Sequence, residues 1–224
     1  MGLPRISGYR LPLEPELPPV RVPWALDPSR AALLVHDMQK YFVGAYPADG
    51  PPIADVIANV GALRRACDAC RIPVFFSAQR GGQTRQSRGL QADLWGPGMH
   101  ASPDHEPIVD ALAPAADDRF LTKHRYSAFQ RTTFEADLGA LGRDQLIVTG
   151  IYASIGCLLT AADAFMRDIE PFVVADAVAD FSRAGHDLAL TYVVERCGAL
   201  TTTSRLVEEL AAQGSIRGAE GRHP

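Results

Sequence analysis

No stretch of the 224 residues approaches the roughly 20 consecutive apolar residues that a membrane-spanning helix needs, and the N-terminus lacks the basic-then-apolar layout of a signal peptide. The expectation is a cytoplasmic protein with no membrane partner. Basic charge is not in excess either. With 22 Lys and Arg against 26 Asp and Glu, the formal net charge is −4. The basic stripe that binding to a phosphate backbone requires is missing, which argues against nucleic acid as a partner. Cysteine is scarce, with four in all. Two of them form Cys67-Asp68-Ala69-Cys70, but no second Cys-x-x-Cys completes a zinc set, so the pair reads as two thiols on one amphipathic helix. No internal repeat is visible.

What is present fits one α/β domain with a sizeable core: 47% of the residues are apolar and 21% charged. Residues 1–28 hold seven prolines and little periodicity, which suits an extended arm lying over the domain or over a neighbouring subunit and contributing packing, not chemistry. The domain itself is placed at 29–214, and 215–224, with glycine, charge and proline, at a loose tail. Short β-rich runs lie at 31–36, 73–78, 145–149, 171–175 and 198–203, with a weaker one at 119–122. Helical patterns fall at 52–70, 130–140, 155–168, 184–197 and 204–213. This alternation predicts a three-layer, Rossmann-like α/β fold with a mostly parallel, about six-stranded sheet flanked by helices. Residues 80–107, rich in Gly, Gln, Arg and Pro, read as a long loop of the kind that often serves as a binding lid.

In a doubly wound sheet, ligands bind beyond the carboxyl ends of the strands. Asp37, Gln79, Lys123 and Tyr152 all fall at or just past such ends. Taken alone, Asp37 reads equally as the N-cap of a turn at Met38-Gln39-Lys40, and Lys123 as half of a surface ion pair.

Four segments carry a resemblance that spans Leu33 to about Leu206: Val35-His36-Asp37-Met38-Gln39, Trp95-Gly96-Pro97-Gly98-Met99, Arg125-Tyr126-Ser127-Ala128-Phe129, and Val174 through Ser182. They resemble the isochorismatase branch of the isochorismatase-like hydrolases. Cysteine hydrolases of that superfamily place their nucleophile four residues before a Thr-x-x-Asp-Ala pattern. The pattern here is Thr160-Ala161-Ala162-Asp163-Ala164, and the position four before it is Gly156. The neighbouring Cys157 is turned by about 100° on a helix and reads as core packing. Zinc-dependent nicotinamidases of the wider superfamily carry Asp-x-His after the second strand, where this chain has Ser77-Ala78-Gln79. The resemblance therefore implies no metal and no cofactor.

The implied reaction is hydrolysis of an enolpyruvyl (vinyl) ether on a small dianionic chorismate-derived substrate, releasing pyruvate and a dihydroaromatic acid. Vinyl-ether hydrolysis needs a positioned general acid and no nucleophile. The resemblance assigns the proton to Asp37 and gives Lys123 the tasks of binding substrate and stabilising the carboxylate left behind. An ordinary aspartate has a pKa of about 3.9, so burial and the substrate's own negative charge are expected to raise it.

Phe42, Gln79, Arg88 and Tyr152 match substrate-contacting positions of the phenazine-pathway member. Arg88 and Trp95 lie in the lid, where a guanidinium can clamp a carboxylate. Gly156 is expected at a helix start, capped by Ser154, with free amides at Ile155 to Cys157 for a carboxylate and with space for a ring. Serine at 154 departs from the Tyr-Ala-His-(Ile/Val)-Gly motif of that branch, which puts turnover rate or substrate choice in question. Arg88-Gly89-Leu90 and Gly98-Met99-x-Ala101-Ser102-Pro103 point to 2-amino-2-deoxyisochorismate, with isochorismate as the alternative. A cysteine amidohydrolase using Cys157 and a non-catalytic docking partner are the remaining readings. The family implies a homodimer.

Overall fold

The computed structural model describes residues 3–220. Its elements are β1 (Ala31–His36), α1 (Lys40–Val43), α2 (Ile53–Ala69), β2 (Val74–Gln79), α3 (Arg85–Arg88), α4 (Gln91–Trp95), β3 (Arg119–Lys123), α5 (Phe134–Ala140), β4 (Gln145–Ile151), α6 (Leu158–Phe165), β5 (Glu170–Ala179), α7 (Arg183–Arg196), β6 (Ala199–Thr201) and α8 (Thr203–Glu220). The six strands pair in parallel in the order β3-β2-β1-β4-β5-β6. β1 is buried at every position because helices cover both sheet faces. Leu33 and Val35 pack on the side of α2 and α8, while Ala32 and Leu34 pack on the side of α5, α6 and α7. The three-layer α/β architecture expected from the alternation is the one observed. No helix among the described residues is long and apolar enough to cross a membrane.

Strand order reverses between β1 and β4, so the crevice at their carboxyl ends is the topological switch point of the sheet. Gly150 sets how closely those ends approach. It pairs with His36, has φ +106, and a Cβ there would lie 2.1 Å from the His36 carbonyl oxygen. Any side chain would push β4 off β1 at the point where the site begins.

The proline-rich arm lies over its own domain. Ile6, Leu11 and Leu26 are buried in the α2-side core, and the Tyr9 hydroxyl accepts the Asp180 amide at 2.7 Å. Several boundaries differ from expectation. The loop at 80–107 contains α3 and α4: the Thr84 side chain caps α3, and Gly89 and Gly96, both at positive φ, follow the two helices. The helix expected at 130–140 begins only at Phe134, because Arg131 adopts φ +63 and breaks the run. The helix expected at 155–168 opens as a π-wound turn over Ala153–Cys157 and ends at Phe165. β6 stops at Thr201, because the Thr203 amide and hydroxyl both turn to Asp176 Oδ1 and start α8. Residues 215–220, expected as loose tail, continue α8, and the rest of that tail, 221–224, lies outside the described residues.

Candidate active site

Asp37 follows β1 directly, in a left-handed backbone conformation (φ 50) that few residues other than Gly, Asn and Asp tolerate. Its carbonyl accepts the Gln39 amide, and Gln39, not Asp37, stands at the N-cap position of α1, without a side-chain cap bond. The carboxylate is turned inward and 5% exposed. Oδ1 accepts the Ser77 hydroxyl at 2.6 Å, while Oδ2 accepts the Gln79 amide at 3.3 Å and pairs with Lys123 Nζ at 3.2 Å. The carboxyl ends of β2, with Ser77 and Gln79, and of β3, with Lys123, thus converge on the carboxylate that follows β1. Ser77 and Gln79 occupy the Asp-x-His place and support Asp37 from there. Among the described residues, no group of three or more His, Cys, Asp or Glu is gathered in a way that could hold a metal.

Burial pushes the Asp37 pKa up, but Lys123 above all, with His36, Ser77 and Gln79, outweighs it, and the net direction is down. Before any ligand arrives, the site favours ionised Asp37. Burial lowers the Lys123 pKa, and Asp37 opposes that shift. Lys123 Nζ has three partners inside the protein: the Tyr126 carbonyl at 2.6 Å, His36 Nε2 at 2.8 Å and Asp37. An ammonium has three protons, so none is left over for substrate. In this structure its donors hold Asp37, His36 and the Tyr126 backbone.

A cavity of about 370 Å³ opens over this pair. It is lined by all eight residues singled out from the sequence, namely Asp37, Phe42, Gln79, Arg88, Trp95, Lys123, Tyr152 and Gly156. Arg88 is no solvated charge. It is 6% exposed, its Nε donates to the Gly96 carbonyl, and it has no carboxylate partner among the described residues. Burial lowers its pKa, while the nearby Tyr41 and Tyr126 hydroxyls oppose that shift. Its guanidinium lies where a Cβ on Gly98 would stand, 2.3 Å from Nη1, so that glycine leaves the room. Trp95 stacks on Phe181 (6.0 Å between centroids, 10° between planes), and Phe181 stacks on Tyr152 (4.1 Å, 22°). Trp95 Nε1 also donates to the Tyr126 hydroxyl at 2.7 Å. One wall is therefore aromatic, and the Asp37–Lys123 floor is charged.

The helix-start expectation at Gly156 does not hold. The Ile155 and Cys157 amides both donate to the Tyr152 carbonyl and are not free, and Ser154 makes no side-chain cap. The Ser154 amide donates to the Asp180 carboxylate, and Ser154 is not among the cavity-lining residues. Gly156 lies against the His36 ring. Cys157 points into the core, 3.9 Å from the Thr149 carbonyl, and burial pushes its thiol pKa up. His36, Ser77, Tyr126 and Phe181 line or support the site without having been given roles from the sequence. His36 was the legible one among them, as the only polar side chain in the β1 run.

The fold and site define a class: a doubly wound α/β enzyme with an acid–amine pair buried at the switch point of its sheet. Residues 31–205 match the Isochorismatase domain. The chain is 50% identical over 207 residues to enterobactin synthase component B of Escherichia coli, covering 92% of this chain and 73% of that protein. It is 48% identical to an isochorismatase of Bacillus subtilis (94% and 67% covered) and 46% identical to the phenazine biosynthesis protein PhzD1 of Pseudomonas aeruginosa (92% and 99% covered). Among solved structures, a cysteine hydrolase of Pseudomonas syringae superposes with TM-score 0.77 at 27% identity, covering 87% of this chain and 98% of that one. This chain belongs to the isochorismatase family and is a hydrolase of that family.

Proposed function

We propose that the protein hydrolyses the enolpyruvyl ether of 2-amino-2-deoxyisochorismate, giving trans-2,3-dihydro-3-hydroxyanthranilate and pyruvate, with Asp37 as general acid. The observation that carries this reading is the buried carboxyl of Asp37, held between Ser77, Gln79 and Lys123 at a cavity with no side chain at position 156. An acid without a nucleophile suits a vinyl ether. Protonated Asp37 gives its proton to the terminal methylene carbon, leaving an oxocarbenium ion. Water adds to that cation and releases a proton that restores Asp37. The hemiketal then collapses: its hydroxyl proton passes to the ring oxygen as the bond between the pyruvyl carbon and that oxygen breaks, leaving the keto group of pyruvate and the ring hydroxyl.

The two carboxylates of the substrate supply what the free site lacks. Negative charge beside Asp37 disfavours its ionised form and raises its pKa, so binding arms the acid. Arg88, buried and without a carboxylate partner, suits one of those carboxylates, and the Trp95–Phe181–Tyr152 wall suits the ring. A homodimer belongs to this reading and is tested by mass measurement in solution.

A second reading, isochorismatase activity giving 2,3-dihydro-2,3-dihydroxybenzoate, is favoured by the name of the 48% identical relative. Gln79 suits an amine or a hydroxyl equally, since its amide donates and accepts. The experiment offers both substrates in parallel and follows pyruvate. Faster release from the amino substrate supports the first reading, preference for isochorismate supports the second, and no release from either contradicts both.

A further inference from the structure

We propose that His36 is a positioning residue for the Asp37–Lys123 pair, and that glycine at 156 is the space its ring occupies. The inference rests on the reading of Asp37 as proton donor. His36 is the last residue of β1 and 1% exposed. Its Nδ1 lies 2.8 Å from the Ile151 carbonyl oxygen. A carbonyl only accepts, so Nδ1 carries the proton and donates it there. Nε2 also lies 3.3 Å from the Tyr126 carbonyl oxygen, but the nearer Lys123 ammonium, at 2.8 Å, can only donate, so Nε2 presents its lone pair to Nζ. Burial, followed by the charge of Lys123, keeps the imidazole neutral.

Lys123 can turn its protons three ways, and the imidazole takes one. The Tyr126 carbonyl takes another, and the last is left on Asp37. Without the acceptor at 36, that ammonium is free to turn toward the carboxylates of a bound substrate and away from the acid it must stabilise. His36 therefore acts on the reaction through Lys123 and touches no reacting atom.

The ring also explains position 156. A Cβ on Gly156 would lie 2.1 Å from His36 Cε1, 2.7 Å from Nε2 and 2.9 Å from Nδ1. Because both ring nitrogens are tied, the imidazole cannot swing aside without losing the Ile151 or the Lys123 bond. A side chain at 156 and an imidazole at 36 are mutually exclusive. The place where cysteine hydrolases carry their nucleophile is filled here by a residue from another strand.

Two measurements test this. Pyruvate release is compared for the parent, His36→Leu and His36→Gln. Leucine fills the space without an acceptor, and kcat should fall on the order of a hundredfold with KM unchanged or lower. Glutamine returns an acceptor oxygen and should recover most of that loss. Unchanged kcat in His36→Leu, or equal loss in both variants, overturns the positioning role while leaving the parent reaction standing. No pyruvate from the parent overturns the vinyl-ether reading, and this role with it. Independently of activity, thermal unfolding of Gly156→Ala is measured in the parent and in a His36→Ala background. The melting temperature should fall in the parent and change little in the background, whereas equal falls overturn the claim on space.

Discussion

Asp37 is 5% exposed between a hydroxyl, an amide and an ammonium, and that set favours its ionised form. The protonated form that the proposed mechanism uses is therefore the minority form of the free enzyme, and pH dependence should show it. Since kcat/KM reports the free enzyme and Asp37 titrates below its ordinary 3.8 there, kcat/KM should fall about tenfold per pH unit as pH rises above 5. In the complex the substrate's charge raises the pKa, so kcat should hold its plateau to a higher pH. Identical profiles for the two parameters would show that substrate does not arm the acid. Asp37→Asn should cost on the order of 10² to 10⁴ in kcat, the range of a general acid.

His36 has a stability signature of its own. Burial first, then Lys123, lowers its pKa to about 4, while Asp37 and the Ile151 and Tyr126 carbonyls oppose the shift. An unfolded histidine titrates near 6.5. The unfolded state therefore binds the extra proton, and the stability held above pH 6.5 is lost as pH falls toward 4, by up to about 3 kcal/mol. Denaturant unfolding of His36→Gln should show a flatter pH dependence across that window. His186, lowered chiefly by burial, contributes a slope common to both proteins.

Among the elements, the strands that form the floor of the site were legible because a parallel sheet buried on both faces leaves continuous apolar runs. Ala31–His36 is such a run, and Asp37, Lys123 and Tyr152 could be placed at strand ends from the pattern alone. The elements over the cavity were not legible. α3 and α4 have four and five residues, too few for a helical period to register, and the glycines and prolines around them read as loop. The π-wound turn at Ala153–Cys157 is hidden for a different reason. Its amides converge on the Tyr152 carbonyl, and its place is set by the Asp180 carboxylate at the Ser154 amide, a contact between distant parts of the chain. The His36–Gly156 contact is tertiary in the same way. Arg88, the last residue of α3, tests the lid directly: Arg88→Met should raise KM roughly 30-fold or more, the cost of losing a buried charged hydrogen bond. An unchanged KM would place the substrate carboxylates elsewhere.

On the scale of the whole molecule, the arm, the sheet and the site form one connected body. Tyr9, far from the chemistry in sequence, accepts the Asp180 amide and meets His186 at 3.1 Å, and Asp180 in turn holds the Ser154 amide at the turn that carries Gly156. Tyr9→Phe should lower the melting temperature by several degrees, since it leaves a buried amide without its acceptor. No change would mean that the arm is not clamped. The central claim is that the carbon–oxygen bond on the pyruvyl side breaks after protonation at carbon. The most direct test is turnover in water labelled with heavy oxygen, with mass analysis of the dihydroaromatic product. The ring hydroxyl should be free of label, because the ring oxygen never leaves the ring, whereas label on the ring hydroxyl would mean attack at the ring carbon and would contradict cleavage on the pyruvyl side.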